Sequence, residues 1–286
     1  MERKIALIGF GEAARAFAAD RPCDFAFSAY DLKTDAAMRA AFSKATVLGA
    51  GRPEDALAGA EAVLSLVTAD QALAAARDYA RYLAPGTLWL DMNSVAPETK
   101  RAAAVAIEGA GGRYADVAVM APVHPARRAV PLLVSGSHAE AATALLETLG
   151  FTSVRAIEGA IGAASAVKMI RSVIVKGIEA LTAESMLAAE VAGVRDQVLA
   201  SLDASETGRS WAERVDYALN RMLIHGARRA AEMEEAARTL EALGIDAAMT
   251  RGTIAYQREI GAIANAAPAG LDAKLTLILD RKAKAA

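Results

Sequence analysis

Short apolar runs alternate with amphipathic stretches along the first half of the chain, and the rhythm changes after Gly159. The runs Lys4–Ile8, Phe25–Tyr30, Ala62–Leu66, Thr87–Asp91, Arg113–Val119 and Pro131–Ser135 predict strands. Between them, Glu12–Ala19, Asp70–Tyr82, Pro97–Ala110 and Ala139–Leu149 predict helices. Strands alternating with helices point to βαβ units and a parallel sheet covered on both faces.

Beyond Gly159 the period becomes helical throughout. Ala163 to Ala192 has no proline and one internal glycine, so it predicts a single helix of about 30 residues, roughly 45 Å long. Arg195–Leu202, Ser210–Leu243, Ala247–Ala264 and Leu271–Ala283 predict further helices. Gly244 is the expected stop of the second of these, and Pro268 and Gly270 break the pattern before the last. The expected fold class is therefore α/β: a doubly wound parallel sheet at residues 1–157, then an all-α domain at 158–286, joined by the long helix.

Composition agrees with this division. Hydrophobic residues make up 54% of the 286, enough for a large core, and a chain of this length suits two domains. A formal net charge of -2 gives no electrostatic case for nucleic acid or an anionic membrane. The single cysteine, Cys23, excludes an internal disulfide and argues against a cysteine-based metal site, so no metal is expected. No apolar run approaches the roughly 18 residues needed to cross a bilayer. A strand beginning at Lys4 leaves no room for a signal peptide, so the expected location is cytoplasmic.

Candidate chemistry enters at Gly9-Phe10-Gly11-Glu12-Ala-Ala14, which follows the first strand and opens the first helix. The first glycine permits a tight turn, and the second lets a pyrophosphate approach the backbone at the helix start. Ala14 stands where a third glycine sets helix–strand packing. Asp31 ends the second strand 22 positions beyond Gly9, near the spacing of about 20 expected for an acid that binds a ribose. Together they predict a Rossmann-type dinucleotide site. An acid there repels a 2′-phosphate and favours NAD over NADP, while nearby Lys33 keeps NADP open. Val67 and Thr68 after the third strand, and Asn93 after Asp91, fall at strand ends where this architecture gathers its ligand.

Ser165, Lys168, Ser172 and Lys176 are spaced three, four and four apart, so they share one face of the long helix, with Arg171 beside them. A lysine among Ala, Val, Ile and Met is costly to desolvate unless it is paired or used, and burial brings it towards a neutral acid or base. A second polar face comprises His225, Arg228, Arg229 and Glu232; Val215, Ala218, Leu219 and Met222 form an apolar stripe earlier on that helix. The His and two Arg suit a carboxylate or phosphate, or else form a solvated face with an Arg–Glu pair. His124 is a further candidate in the loop after Val119.

These residues resemble the β-hydroxyacid dehydrogenases, the group that includes 3-hydroxyisobutyrate and 6-phosphogluconate dehydrogenases. The resemblance is carried by Gly9–Ala14, by Asp91-Met-Asn-Ser-Val-Ala-Pro97, and by Gly159-Ala-Ile-Gly162 leading into Lys168. It implies that Lys168 is the catalytic acid/base on the interdomain helix, and that subunits pair as a homodimer through the helical domain. Two positions depart from the family. Ser172 replaces its asparagine four residues after the lysine, and Met120-Ala121-Pro122 replaces its Ser-Gly-Gly substrate loop. The strings Lys168-Met-Ile-Arg-Ser172 and His225-Gly-Ala-Arg-Arg-Ala-Ala-Glu-Met233 are similar to a subgroup with a phosphogluconate dehydrogenase-like C-terminal domain.

The resulting expectation is hydride transfer between NAD and a small anionic hydroxy acid or oxo acid. Lys168 moves the hydroxyl proton. Ser94, Met120, Ala121, Arg171, Ser172, Lys176, His225, Arg228 and Arg229 bind the substrate. Two alternatives stay open: an imine reductase, which shares the architecture but commonly lacks the lysine, and a non-catalytic NAD-binding interaction protein.

Overall fold

A computed structural model describes residues 3–19, 22–205, 208, 210–242 and 246–285. The chain divides into two compact units, Met1–Met169 and Ile170–Ala286.

The first unit is built on eight strands: β1 (Arg3–Ile8), β2 (Phe25–Tyr30), β3 (Leu48–Gly49), β4 (Ala62–Ser65), β5 (Leu88–Asp91), β6 (Arg113–Val119), β7 (Leu132–Ser135) and β8 (Val154–Ala156). Their spatial order is β3-β2-β1-β4-β5-β6-β7-β8, so the direction of strand addition reverses at β1. Side chains alternate between the two faces as the pleat requires. From β1, Ile5 and Leu7 enter one core with Phe17, Phe27 and Leu146, whereas Ala6 and Ile8 enter the other with Trp89 and Ile107. The first core is covered by α1 (Glu12–Ala18), α2 (Ala36–Lys44) and α6 (Ala139–Thr148), the second by α3 (Pro53–Leu57), α4 (Ala72–Tyr79) and α5 (Pro97–Gly109).

The expected all-parallel sheet needs one correction: β7 runs antiparallel to β6. Between these two strands there is no α-helix to carry a parallel crossover, only a loop with one short 3-10 turn at Arg127–Ala129, and the chain turns back beside β6. The elements α2, α3, β3 and β8 were also missing from the sequence reading. Two of them carried a legible start signal, since Asp35 caps α2 by accepting from Met38 N–H at 2.8 Å and Pro53 opens α3.

The long helix forms as expected, as α7 (Ala163–Val191), and its first turns belong to the sheet unit. The second unit contains the rest of α7 with α8 (Arg195–Ser205), α9 (Trp211–Ala242), α10 (Ala248–Gly261) and α11 (Leu271–Ala285). The stripe Val215, Ala218, Leu219 and Met222 is buried, and most of it joins a core with Met186, Ile260 and Ile278. Helices α9 and α10 touch backbone to backbone, because a Cβ on Gly226 would lie 2.2 Å from the Gln257 carbonyl oxygen. Gly244, the expected stop, lies outside the described residues.

Candidate active site

The turn after β1 is fixed by sterics before any ligand is considered. Gly9 has φ +86°, and a Cβ there would sit 2.5 Å from the Leu66 carbonyl oxygen and 3.0 Å from Val67 Cγ1. Its N–H donates to Tyr30 O at 2.9 Å, while Leu66 N–H donates to Ile8 O at 2.7 Å. The ends of β2, β1 and β4 are thereby drawn together at the reversal point of the sheet, where open α/β sheets take their ligands.

Gly11 is the opposite case. It has an ordinary backbone at the start of α1, and nothing lies within 4 Å of the Cβ it lacks. Phe10 is buried against Phe42, Ala14 is buried, and Glu12 is exposed in the first turn. Asp31 accepts from Phe10 N–H at 2.7 Å through one oxygen and from Lys33 N–H at 2.8 Å through the other. It therefore holds the glycine turn, with lone pairs left over for further donors. Close by, Tyr79 packs edge-on to Tyr30, and burial followed by the Tyr30 contact pushes its phenol up to about 12. Val67 is partly buried and Thr68 exposed.

The end of β5 carries the second group. Asn93 is buried; its amide donates to Ser65 Oγ at 3.0 Å and to Asp91 Oδ1 at 2.8 Å. Its Oδ1 is buried and has no hydrogen-bond partner among the described residues. Such an acceptor is costly to leave unmet. The open cradle at Gly11, the Asp31 carboxylate and this orphan acceptor fit a dinucleotide bearing hydroxyl and amide donors. The next residue, Ser94, is hydrogen-bonded through Oγ to Lys168 Nζ. Met120 packs beside Ala118, Leu133 and Ala164, while Ala121 and His124 are exposed.

Behind this edge lies a polar cluster that the sequence reading missed. Lys100 is fully buried and donates to Asp91 O at 2.5 Å and to Asp91 Oδ1 at 2.9 Å; its Nζ lies 3.4 Å from Asp116 Oδ1. Tyr114 donates to Asp91 Oδ2 at 2.7 Å, and burial, with the carboxylate second, holds its phenol well above the ordinary range. Asp116 accepts from the backbone N–H groups of Gly162 at 3.1 Å and Ser165 at 3.0 Å, and from Ser165 Oγ at 2.6 Å. It thus caps α7. The available signal was a charge in mid-strand, Asp116 between Ala115 and Val117.

The remaining expected site residues belong to the second unit. Arg171 is exposed, and Ser172 is buried. Lys176 pairs with Glu232 Oε2 at 2.8 Å and lies 3.4 Å from Ser172 Oγ. Arg229 is buried against Glu179, and burial lowers its pKa while Glu179 opposes the shift. Arg228 is exposed and reaches Glu232 Oε1 at 3.3 Å, and His225 is partly buried. Three of the expected anion-binding cations therefore already face carboxylates. Among the described residues no cluster of His, Cys, Asp and Glu suits a metal, and no helix is long and apolar enough to cross a membrane.

Comparison with known proteins accounts for both halves. Residues 4–162 match the NAD binding domain of 6-phosphogluconate dehydrogenase, and residues 189–260 match a domain of unknown function. A conserved hypothetical protein from Sinorhizobium meliloti 1021 is 36% identical over 98% of this chain and 97% of its own, with a TM-score of 0.74. A conserved protein of unknown function, noted for structural similarity to 3-hydroxyacid dehydrogenases, is 29% identical over 90% of this chain and 96% of its own, with a TM-score of 0.68. The Mycobacterium tuberculosis 3-hydroxyisobutyrate dehydrogenase, solved with L-serine, shares the fold at 19% identity, covering 99% of this chain and 100% of its own with a TM-score of 0.73. The sheet unit is an NAD(P)-binding domain, and the chain belongs to the family of hydroxyacid dehydrogenases resembling 3-hydroxyisobutyrate and 6-phosphogluconate dehydrogenase.

Proposed function

We propose that this protein is an NAD-dependent oxidoreductase acting on a small anionic hydroxy acid or the matching oxo acid. The observation that carries the reading is the Lys168–Ser94 hydrogen bond beside the carboxyl edge of the sheet. A lysine amine and a serine hydroxyl in contact can share one substrate hydroxyl: Ser94 orients it, and Lys168 Nζ takes or returns its proton. When bound, the dinucleotide supplies the hydride acceptor or donor. Gly9 makes the turn and Gly11 leaves room for the dinucleotide, Asp31 offers its carboxylate to a ribose hydroxyl, and Asn93 Oδ1 accepts from a polar edge. Asp31 favours NAD over NADP, since a 2′-phosphate would face the carboxylate. The lysine also separates this reading from an imine reductase.

The test is nicotinamide turnover on a pool of small hydroxy and oxo acids by wild type and Lys168→Met. Wild-type turnover that falls by about 10²–10⁴-fold in the variant, with NADH affinity retained, is the expected result. A variant that turns over like wild type would remove Lys168 from the chemistry.

We also read the exposed face Ile170, Ile174, Ile178 and Leu181 of α7, 45–66% accessible, as the contact with a second copy. Spacings of four, four and three make one self-complementary apolar row, which a two-fold axis can bury against itself. Light scattering should give a dimer for wild type and a monomer for Ile174→Glu; a monomeric wild type would end this reading.

A further inference from the structure

We infer that Lys100 is a positioning residue for the Lys168–Ser94 pair, acting through Asp91 and Asp116. The inference rests on the proposed role of Lys168. The two members of that pair arrive from unconnected places, Ser94 just past β5 and Lys168 on the second turn of α7. No local backbone bond sets one against the other, yet each is adjacent to a carboxylate that organises its segment. Asp91 accepts from the Asn93 N–H at 3.0 Å and from its amide at 2.8 Å, which fixes the residue before Ser94. Asp116 holds the N–H groups of Gly162 and Ser165, which fixes the turn before Lys168.

Lys100 joins the two. An ammonium has three donors. Here three acceptors surround it: Asp91 O at 2.5 Å, Asp91 Oδ1 at 2.9 Å and Asp116 Oδ1 at 3.4 Å. The charges divide between two sources. Lys100 neutralises Asp91, and Asp116 draws on Lys100 and on the N-terminal N–H groups and dipole of the 29-residue α7. Asp91 and Asp116 are register partners on the β5–β6 ladder, which sets their backbones side by side, and Lys100 locks the two carboxylates onto that frame, so the spacing is carried from β5 to α7.

The role is separable from net charge by the double variant Lys100→Met/Asp91→Asn, which removes the bridge, keeps the net charge of the cluster and leaves Asp116 to the N–H groups and dipole of α7. The readout is reductive methylation of lysines by formaldehyde and cyanoborohydride, followed residue by residue with mass spectrometry. It requires no substrate. Exposed Lys44 is the internal reference. In the folded double variant, methylation of Lys168 relative to Lys44 should rise by about fivefold, the equivalent of one lost hydrogen bond. An unchanged ratio in a folded double variant overturns the inference. Should the double variant not fold, Ser165→Ala decides. It deletes only the 2.6 Å bond to Asp116 and leaves every charge in place. A rise of about twofold in the Lys168 ratio then supports positioning, and no rise overturns it. Turnover and labelling fail independently: a wild type without turnover defeats the proposed function, an unmoved Lys168 ratio this inference.

Discussion

Each unit buries charge, but they satisfy it by different means. In the sheet unit, Asp91 and Asp116 are met by Lys100, Tyr114, Ser165 and several backbone N–H groups. In the helical unit, Lys176 meets Glu232 and Arg229 meets Glu179, side chain to side chain, while Gln257 reaches Glu179 at only 3.4 Å. Arg229 Nε and Gln257 Oε1 are buried there without hydrogen-bond partners among the described residues. The difference follows from the elements. Strand ends and helix starts have spare backbone donors, whereas helix interiors have already spent theirs. The sheet cluster is consequently tied to backbone position, and the helical pairs are tied to other side chains.

The largest effect expected from this contrast is on Lys100. Lys100→Met leaves two buried carboxylates without their ammonium and should cost the sheet unit about 3–5 kcal/mol. The two tryptophans, Trp89 and Trp211, fall one in each unit, so single-tryptophan variants report the units separately in urea. The Trp89 transition should move and the Trp211 transition should stay. Equal movement of both would mean that the helical unit also depends on Lys100.

A smaller effect is expected from alkali. Tyr114 is kept neutral in the fold, with its pKa well above the ordinary value. A raised folded pKa contributes stability that is whole below the unfolded value and declines as pH rises through it. Between pH 8 and pH 11, this phenol should withdraw about 1.4 kcal/mol from the sheet unit. Tyr79, pushed up to about 12, acts in the same direction. Tyr114→Phe should start less stable, having lost its bond to Asp91, and should then fall less steeply with pH in the Trp89 signal. An unchanged slope would mean that Tyr114 ionises inside the fold.

What the sequence disclosed follows the same division. The glycine turn was legible because Gly9 and Gly11 sit at fixed offsets from a strand and a helix, and backbone geometry dictates those offsets. An apolar helix made the charges of Lys168 and Lys176 equally conspicuous, and only the family resemblance set Lys168 apart. Lys100 was not legible, since its partners lie nine and sixteen positions away on two different strands. The same limit applied to the charges of the second unit. His225, Arg228, Arg229 and Glu232 were correctly placed on one helix, yet Arg229 turns inward to Glu179 on α7, which spacing along α9 could not indicate. The antiparallel β7 was hidden because a short apolar run has the same pattern in either direction.

The smallest expected effect is the one that most sharpens the contrast. Arg229→Met/Glu179→Leu replaces a buried ion pair by apolar side chains of similar reach. Buried ion pairs held by side chains alone give back little more than their desolvation cost, so such replacements are commonly neutral or stabilising by about 1–4 kcal/mol. Here one guanidinium nitrogen is already orphaned, so removal of the pair relieves an unmet donor as well. The Gln257 amide loses a contact that is long, and Glu232 loses the Arg229 charge but keeps Lys176 and Arg228. The Trp211 transition should therefore stay within about 1 kcal/mol of wild type or rise. Lys100→Met/Asp91→Asn, which likewise leaves the net charge unchanged, should still lower the Trp89 transition, because Asp116 loses its ammonium and the backbone donors around Asp91 keep their places while their acceptor weakens. A loss of 3 kcal/mol or more from the Arg229/Glu179 replacement would show that the helical unit, too, depends on its charges for position.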